Sequence, residues 1–181
     1  MNKSLEFKTF VSNYVPELGY LTKEENEFLP IDHPLAEVAA QKILDYEENE
    51  YLPGYIEVTY GHQSILSKQN ETDDLLETWG DLSYIVINQA ADQRYRITLI
   101  GYPIEVFLLK KDGQFYFEIN EGNKLVNISP SFPVEELMDS IVKGYRNFIG
   151  FCKKDSLTFS ESTIYKSSIN TFERISRMKK S

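Results

Sequence analysis

Three knots of carboxylates stand out in the first half of the chain: Glu24, Glu25 and Glu27; Glu47, Glu48 and Glu50; and Asp73, Asp74, Glu77 and Asp81. Asp74, Glu77 and Asp81 are spaced i, i+3 and i+7, which puts them on one face if the segment is helical. Three carboxylates so placed can hold a divalent cation and activate a water, the chemistry of a metal-assisted hydrolase. The competing interpretation is a solvated helix face, because neither a histidine nor an Asp-x-Asp pair accompanies them. The second knot has different neighbours. Tyr46 and Tyr51 flank Glu47, Glu48 and Glu50, and tyrosine, with a rigid apolar ring and a polar tip, is enriched at protein interfaces. Six tyrosines (Tyr14, Tyr20, Tyr46, Tyr51, Tyr55 and Tyr60) precede residue 61. Some must be core, and the others suit a binding face built on Tyr46, Glu47, Glu48, Glu50 and Tyr51.

The remaining reactive side chains are few. His33 sits between Asp32 and Pro34 and suits the solvated first turn of a helix; His62 follows Gly61 and suits a hairpin turn. Cys152, the single cysteine, falls on the apolar stripe of a helix, where a thiol packs as a small hydrophobe. No Gly-x-Ser-x-Gly elbow, phosphate-binding Gly-Lys-Ser/Thr loop or Gly-x-Gly-x-x-Gly turn is present. The expectation is a non-enzymatic domain with no catalytic residue and no cofactor.

The elements that would position these groups read as follows. Ser4 caps a short helix ending near Tyr14, with Leu5, Phe7, Phe10, Val11 and Tyr14 as its apolar positions, and Thr22 with Glu25 forms a capping box for a further helical turn. Asp32-His33-Pro34 opens a helix from about 34 to 48, and alternation over Tyr55 to Tyr60 gives a strand. Thr72 caps a helix containing Leu75, Leu76, Trp79, Leu82 and Val86, while Tyr84 to Ile87 is also good strand material, so 73–91 is one helix or a helix followed by a strand. From 94 to 128, alternating runs separated by Gly101-Tyr102-Pro103, Asp112-Gly113 and Gly122-Asn123 predict an antiparallel meander. Pro133 opens a long helix with Val134, Leu137, Ile141, Tyr145, Phe148 and Cys152 on one stripe. A last helix, from about 162 to 178, leads into the cations Arg174, Arg177, Lys179 and Lys180. The sum is a single α+β domain over 1–181, an antiparallel β-meander of about four to six strands packed with N-terminal and C-terminal helices.

Charge narrows the partners. Residues 1–81 carry 5 Lys, no Arg and 17 acids, a net of −12, whereas the remainder carries 14 basic and 11 acidic residues. Such a field repels nucleic acid and draws a protein with a basic surface. One cysteine, no apolar run of membrane-spanning length and no signal-peptide pattern point to the cytoplasm. The run Leu75-Leu76-Glu77-Thr78-Trp79-Gly80-Asp81-Leu82, the meander with Tyr102-Pro103-Ile104-Glu105-Val106, and the helix Val134 to Cys152 together cover about half the chain. In this they resemble the small acidic α+β immunity proteins that bacteria encode beside polymorphic toxins. The resemblance implies binding and occlusion of a toxin, often a basic nuclease, and carries over no individual functional residue. A scaffold or interaction domain unconnected with toxins is the third reading.

Overall fold

Leu5, Phe7, Thr9 and Val11 at every second position, the last two β-branched, favour an extended backbone at the start of the chain. The computed structural model describes residues 4–91 and 93–178, and in it Leu5–Ser12 is a strand, β1, with Leu5, Phe7, Thr9 and Val11 buried and Glu6 and Lys8 exposed. This corrects the expected helix. Leu5, Phe7, Phe10, Val11 and Tyr14 fit a helical stripe loosely, but the period-two set gains strand partners on both sides. The predicted turn at Thr22 is also absent. Its hydroxyl accepts from the Glu24 N–H at 3.2 Å, and the buried Asn13 amide donates to the carbonyls of Glu24 and Asn26. These local bonds hold the segment in an irregular path. It links the two-residue strands β2 (Tyr14–Val15) and β3 (Gly19–Tyr20) to β4 (Phe28–Pro30).

Helix α1 spans Ala36–Tyr46 and buries Ala36, Ala39, Ala40, Ile43 and Leu44, leaving Val38 and Tyr46 outside. Asp32 does not cap it; His33 Nδ1 instead accepts from the Leu35 N–H at 3.1 Å. Strands β5 (Gly54–Tyr60), β6 (Gln63–Leu66) and β7 (Glu71–Thr72) follow, then helix α2 (Leu75–Ile87). It is one continuous helix, so the Tyr84–Ile87 segment is not a strand, and its cap is Asp74 rather than Thr72: the Leu76 N–H donates to the Asp74 carboxylate at 3.1 Å.

The meander forms as the turn signals predict: β8 (Arg94–Ile97), β9 (Ile104–Lys111), β10 (Gln114–Glu121) and β11 (Lys124–Ile128). Asp112 and Gly113 both take positive φ, as a two-residue hairpin turn requires. The short β12 (Phe132–Pro133) leads into α3 (Val134–Cys152), and α4 (Tyr165–Met178) closes the described chain. Lys179 and Lys180 lie outside the described residues.

The strands form three antiparallel sheets among the described residues: two of five strands, ordered β4-β1-β5-β6 with β7 beside β5 and β11-β10-β9-β8 with β12 beside β10, and the two-stranded pair β2-β3. Buried residues of both five-stranded sheets and all four helices make one contiguous core. Its hub is Trp79, whose ring lies 6.1 Å from Phe7 and 5.9 Å from both Tyr145 and Phe148. The indole N–H donates to the Thr9 hydroxyl at 3.1 Å, which explains how a threonine is tolerated in this interior. Helix α3 runs beside the open edge of β1. The Leu5 N–H donates to the Glu136 carboxylate at 2.8 Å, and the Ser140 hydroxyl donates to the Leu5 carbonyl at 2.7 Å. Covering a strand edge with a helix removes a template for unwanted pairing. No helix among the described residues is long and apolar enough to cross a membrane.

Candidate functional site

The last turn of α1 ends at Tyr46, and Glu47 follows as its cap residue, facing a cleft of about 620 Å³. The opposite walls come from the β2–β3 turn, from the start of β5 and from the β7–Asp73 segment, with Tyr102 of the β8–β9 loop at the rim. Five carboxylates line it, Glu17, Glu27, Glu47, Glu71 and Asp73, and Lys68 is the single cation among the lining residues. Tyr14, Tyr46 and Tyr102 supply aromatic surface. A smaller hollow of about 330 Å³ shares Glu47, Pro53 and Asp73 with this cleft and adds Tyr51 and Ile100.

Burial and neighbouring negative charge together disfavour ionisation of the groups in the cleft. Burial raises the Glu47 carboxyl above its ordinary range, and the charges of Asp73 and Glu17 raise it further. Burial alone raises Asp73. The Tyr46 phenol is pushed up by desolvation and then by Glu17 and Glu47; Tyr102 is pushed up by burial and then by Glu71 and Asp73. A cationic side chain entering the cleft would favour the charged forms of Glu47 and Asp73.

The predicted binding face is therefore split. Tyr46 and Glu47 line the cleft and Tyr51 the adjoining hollow, but Glu48 and Glu50 line neither. Glu50 accepts from the hydroxyls of Ser160 at 2.9 Å and Ser162 at 2.7 Å, bonds that hold its carboxyl below the usual value. Glu48 sits at positive φ just beyond α1. Glu17, Glu71, Tyr14 and Tyr102 were not foreseen. Pro16 and Gly19, turn residues between two tyrosines, were the available signal for the hairpin that presents Glu17.

The three carboxylates of the hydrolase alternative are not brought together. Asp74 is buried as the α2 cap, Asp81 accepts from the Thr98 N–H at 2.7 Å, and Glu77 is half-buried. Among the described residues no group of three His, Cys, Asp or Glu side chains is placed to hold a metal ion. His62 lies exposed in the β5–β6 turn. Cys152 is fully buried, and its thiol is raised well above the ordinary value by that burial.

Asp74 has a consequence for stability. Burial pushes its carboxyl up to about 6, with the Glu77 charge adding and the backbone N–H bonds opposing. An unfolded aspartic acid titrates near 3.9. The stability it contributes is thus fully present below about pH 4 and is lost as pH rises through about 6. Asp74→Asn keeps a capping oxygen and removes the titration, so its unfolding free energy relative to wild type should grow by on the order of 2 kcal/mol between pH 4 and 7. Urea denaturation across that range checks this, and parallel pH profiles for the two proteins would refute it.

Compared with family models, curated proteins and solved structures, the chain matches none.

Proposed function

We propose that the protein is a non-catalytic binding domain whose tyrosine-lined acidic cleft seats the basic surface of a partner protein. We propose further that it acts in the cytoplasm as an immunity protein occluding a basic toxin. The observation that carries this reading is the lining of the cleft, five carboxylates against one lysine, with Glu47 and Asp73 both held above their ordinary titration range. Uncompensated carboxylates cost stability in the free protein, and a guanidinium or ammonium from a partner would recover it. Tyr14, Tyr46 and Tyr102 supply the large, rigid contact area that interface anchors use. Two strongly perturbed groups elsewhere, Asp74 and Cys152, are buried and occupied in structural roles, which favours recognition over chemistry. The resemblance to immunity proteins supports occlusion as the mode of action, and a single buried free thiol suits a reducing compartment.

The test is kinetic. The partner is captured from native lysate with tagged protein and identified by mass spectrometry, and association is then followed by stopped flow at about 50 and 500 mM salt. Screening shortens the Debye length from roughly 14 Å to roughly 4 Å over that range. The on-rate should fall at least tenfold, and a salt-independent on-rate would overturn the acidic-cleft reading.

A further inference from the structure

The acidic cleft and the smaller hollow of about 330 Å³ meet at Glu47, Pro53 and Asp73, and Tyr51 and Ile100 complete the smaller one. Its lining is thus two carboxylates and three uncharged residues, and Lys68, the cation of the cleft lining, is not part of it. The hollow can be entered from solvent, since Asp73 and Tyr51 are exposed and Glu47 is half-buried.

Main-chain bonds fix its walls. The Glu47 N–H donates to the Ile43 carbonyl at 2.8 Å and so sets where Glu47 leaves α1. The Leu75 N–H donates to the Leu52 carbonyl at 2.9 Å, and Gly54 pairs with Thr72, which holds Pro53 beside the segment that leads into Asp73. On the far side the Asp73 N–H donates to the Ile100 carbonyl at 2.9 Å, and the Ile100 N–H donates to the Thr72 hydroxyl at 3.1 Å. Gly101 completes the frame for two reasons. Its φ is +85°, and a Cβ there would overlap the Asp73 carboxylate, which lies directly against the glycine main chain.

The two carboxylates of the hollow also differ from their neighbours in the cleft. The Tyr46 phenol donates to Glu17 and the Tyr102 phenol to Glu71. Among the described residues Glu47 and Asp73 have no such donor and join no ion pair. Their acceptor capacity is free, and it converges on one small space.

We infer that this hollow is the anchor pocket for an arginine side chain of the partner, an inference that rests on the reading of the cleft as a protein-binding face. A guanidinium carries five N–H donors in a planar fork and can bond both carboxylates at once. The lysine ammonium is a compact, strongly hydrated point charge and suits the site less well. The aliphatic stem of the arginine packs on Pro53 and Ile100, and Tyr51 supplies an aromatic surface beside the cation.

The probe is N-acetyl-arginine-N-methylamide, titrated to about 50 mM into the ¹⁵N-labelled full chain at constant ionic strength, with the lysine analogue for comparison. Saturable amide shifts are expected at Glu47, Tyr51, Asp73, Ile100 and Gly101, and the lysine analogue should bind at least threefold more weakly. Glu47→Gln and Asp73→Asn should each weaken arginine binding at least fivefold. Glu27→Gln removes a carboxylate that lines the cleft but not the hollow, and should change it less than twofold. Gly101→Ala should push the Asp73 carboxylate aside and match Asp73→Asn; if it fails to fold, Asp73→Asn decides alone. No saturable shift, equal binding of the two analogues, or equal weakening by Glu27→Gln would each overturn the arginine anchor while leaving the salt-dependent on-rate of the partner intact. A salt-independent on-rate, by contrast, overturns the cleft reading itself.

Discussion

Trp79→Ala should destabilise the protein by on the order of 4 kcal/mol, the largest loss expected from any single core truncation here. The side chain is fully buried and contacts Phe7 of β1 together with Tyr145 and Phe148 of α3, so its removal opens one cavity shared by a strand and two helices. The cavity cannot collapse readily, because Gly144 already brings α3 as close to β1 as the backbone allows. The Thr9 hydroxyl also loses its indole donor in a buried setting, a further penalty. A domain of this size is stable by roughly 5–15 kcal/mol, so the variant should fold but melt far earlier. Trp79→Phe keeps most of the packing and loses the bond to Thr9, and about half the effect is expected. Circular dichroism during urea denaturation reads both, and an unchanged midpoint for Trp79→Ala would remove Trp79 from the centre of the core.

The second large effect concerns association. Neutralising the cleft with Glu17→Gln, Glu47→Gln and Asp73→Asn should slow binding of the basic partner at least tenfold at about 50 mM salt, where steering is strongest. Replacing Glu48 and Glu50 by glutamine is the control and should change the on-rate less than twofold, since neither lines the cleft and Glu50 is committed to Ser160 and Ser162. Tyr46→Ala and Tyr102→Ala should act on dissociation instead, because buried aromatic anchors govern residence time. The sign of the pH effect follows from the raised carboxyls. Glu47 and Asp73 lose their charge at a higher pH than ordinary carboxylates, so acidification should weaken steering before the exposed acids titrate. The same triple variant should be no less stable than wild type, since it removes charges that the fold holds at a cost. Equal slowing by both sets of substitutions would mean that general charge, and not this cleft, recruits the partner.

The meander could be read from the sequence because its information is local: alternation over β8 to β11, and turn residues that take positive φ at Asp112, Gly113 and Gly122. The helices α1, α2 and α3 were legible for the same reason. β1 was not, because what settles it is remote. Thr9 is interior only because Trp79, seventy residues away, donates to it. The site shows the same division. Tyr46, Glu47 and Tyr51 were recoverable as a cluster adjacent in sequence. Glu50 could not be separated from them without knowing that Ser160 and Ser162 fold over it, and Glu17 and Glu71 join the cleft only through the β2–β3 turn and the pairing of β7 with β5.

The contact of α3 with the edge of β1 also sets a schedule for biosynthesis. The bonds from Leu5 to Glu136 and Ser140 span 131 and 135 residues. At about 5–20 residues per second, roughly 7 to 27 s separate translation of the first strand from that of the helix that shields it. Throughout that interval a nascent chain carries an apolar strand with an unprotected edge. Premature termination before α3 should therefore leave a fragment that holdase chaperones and proteases recognise, and not a smaller working domain.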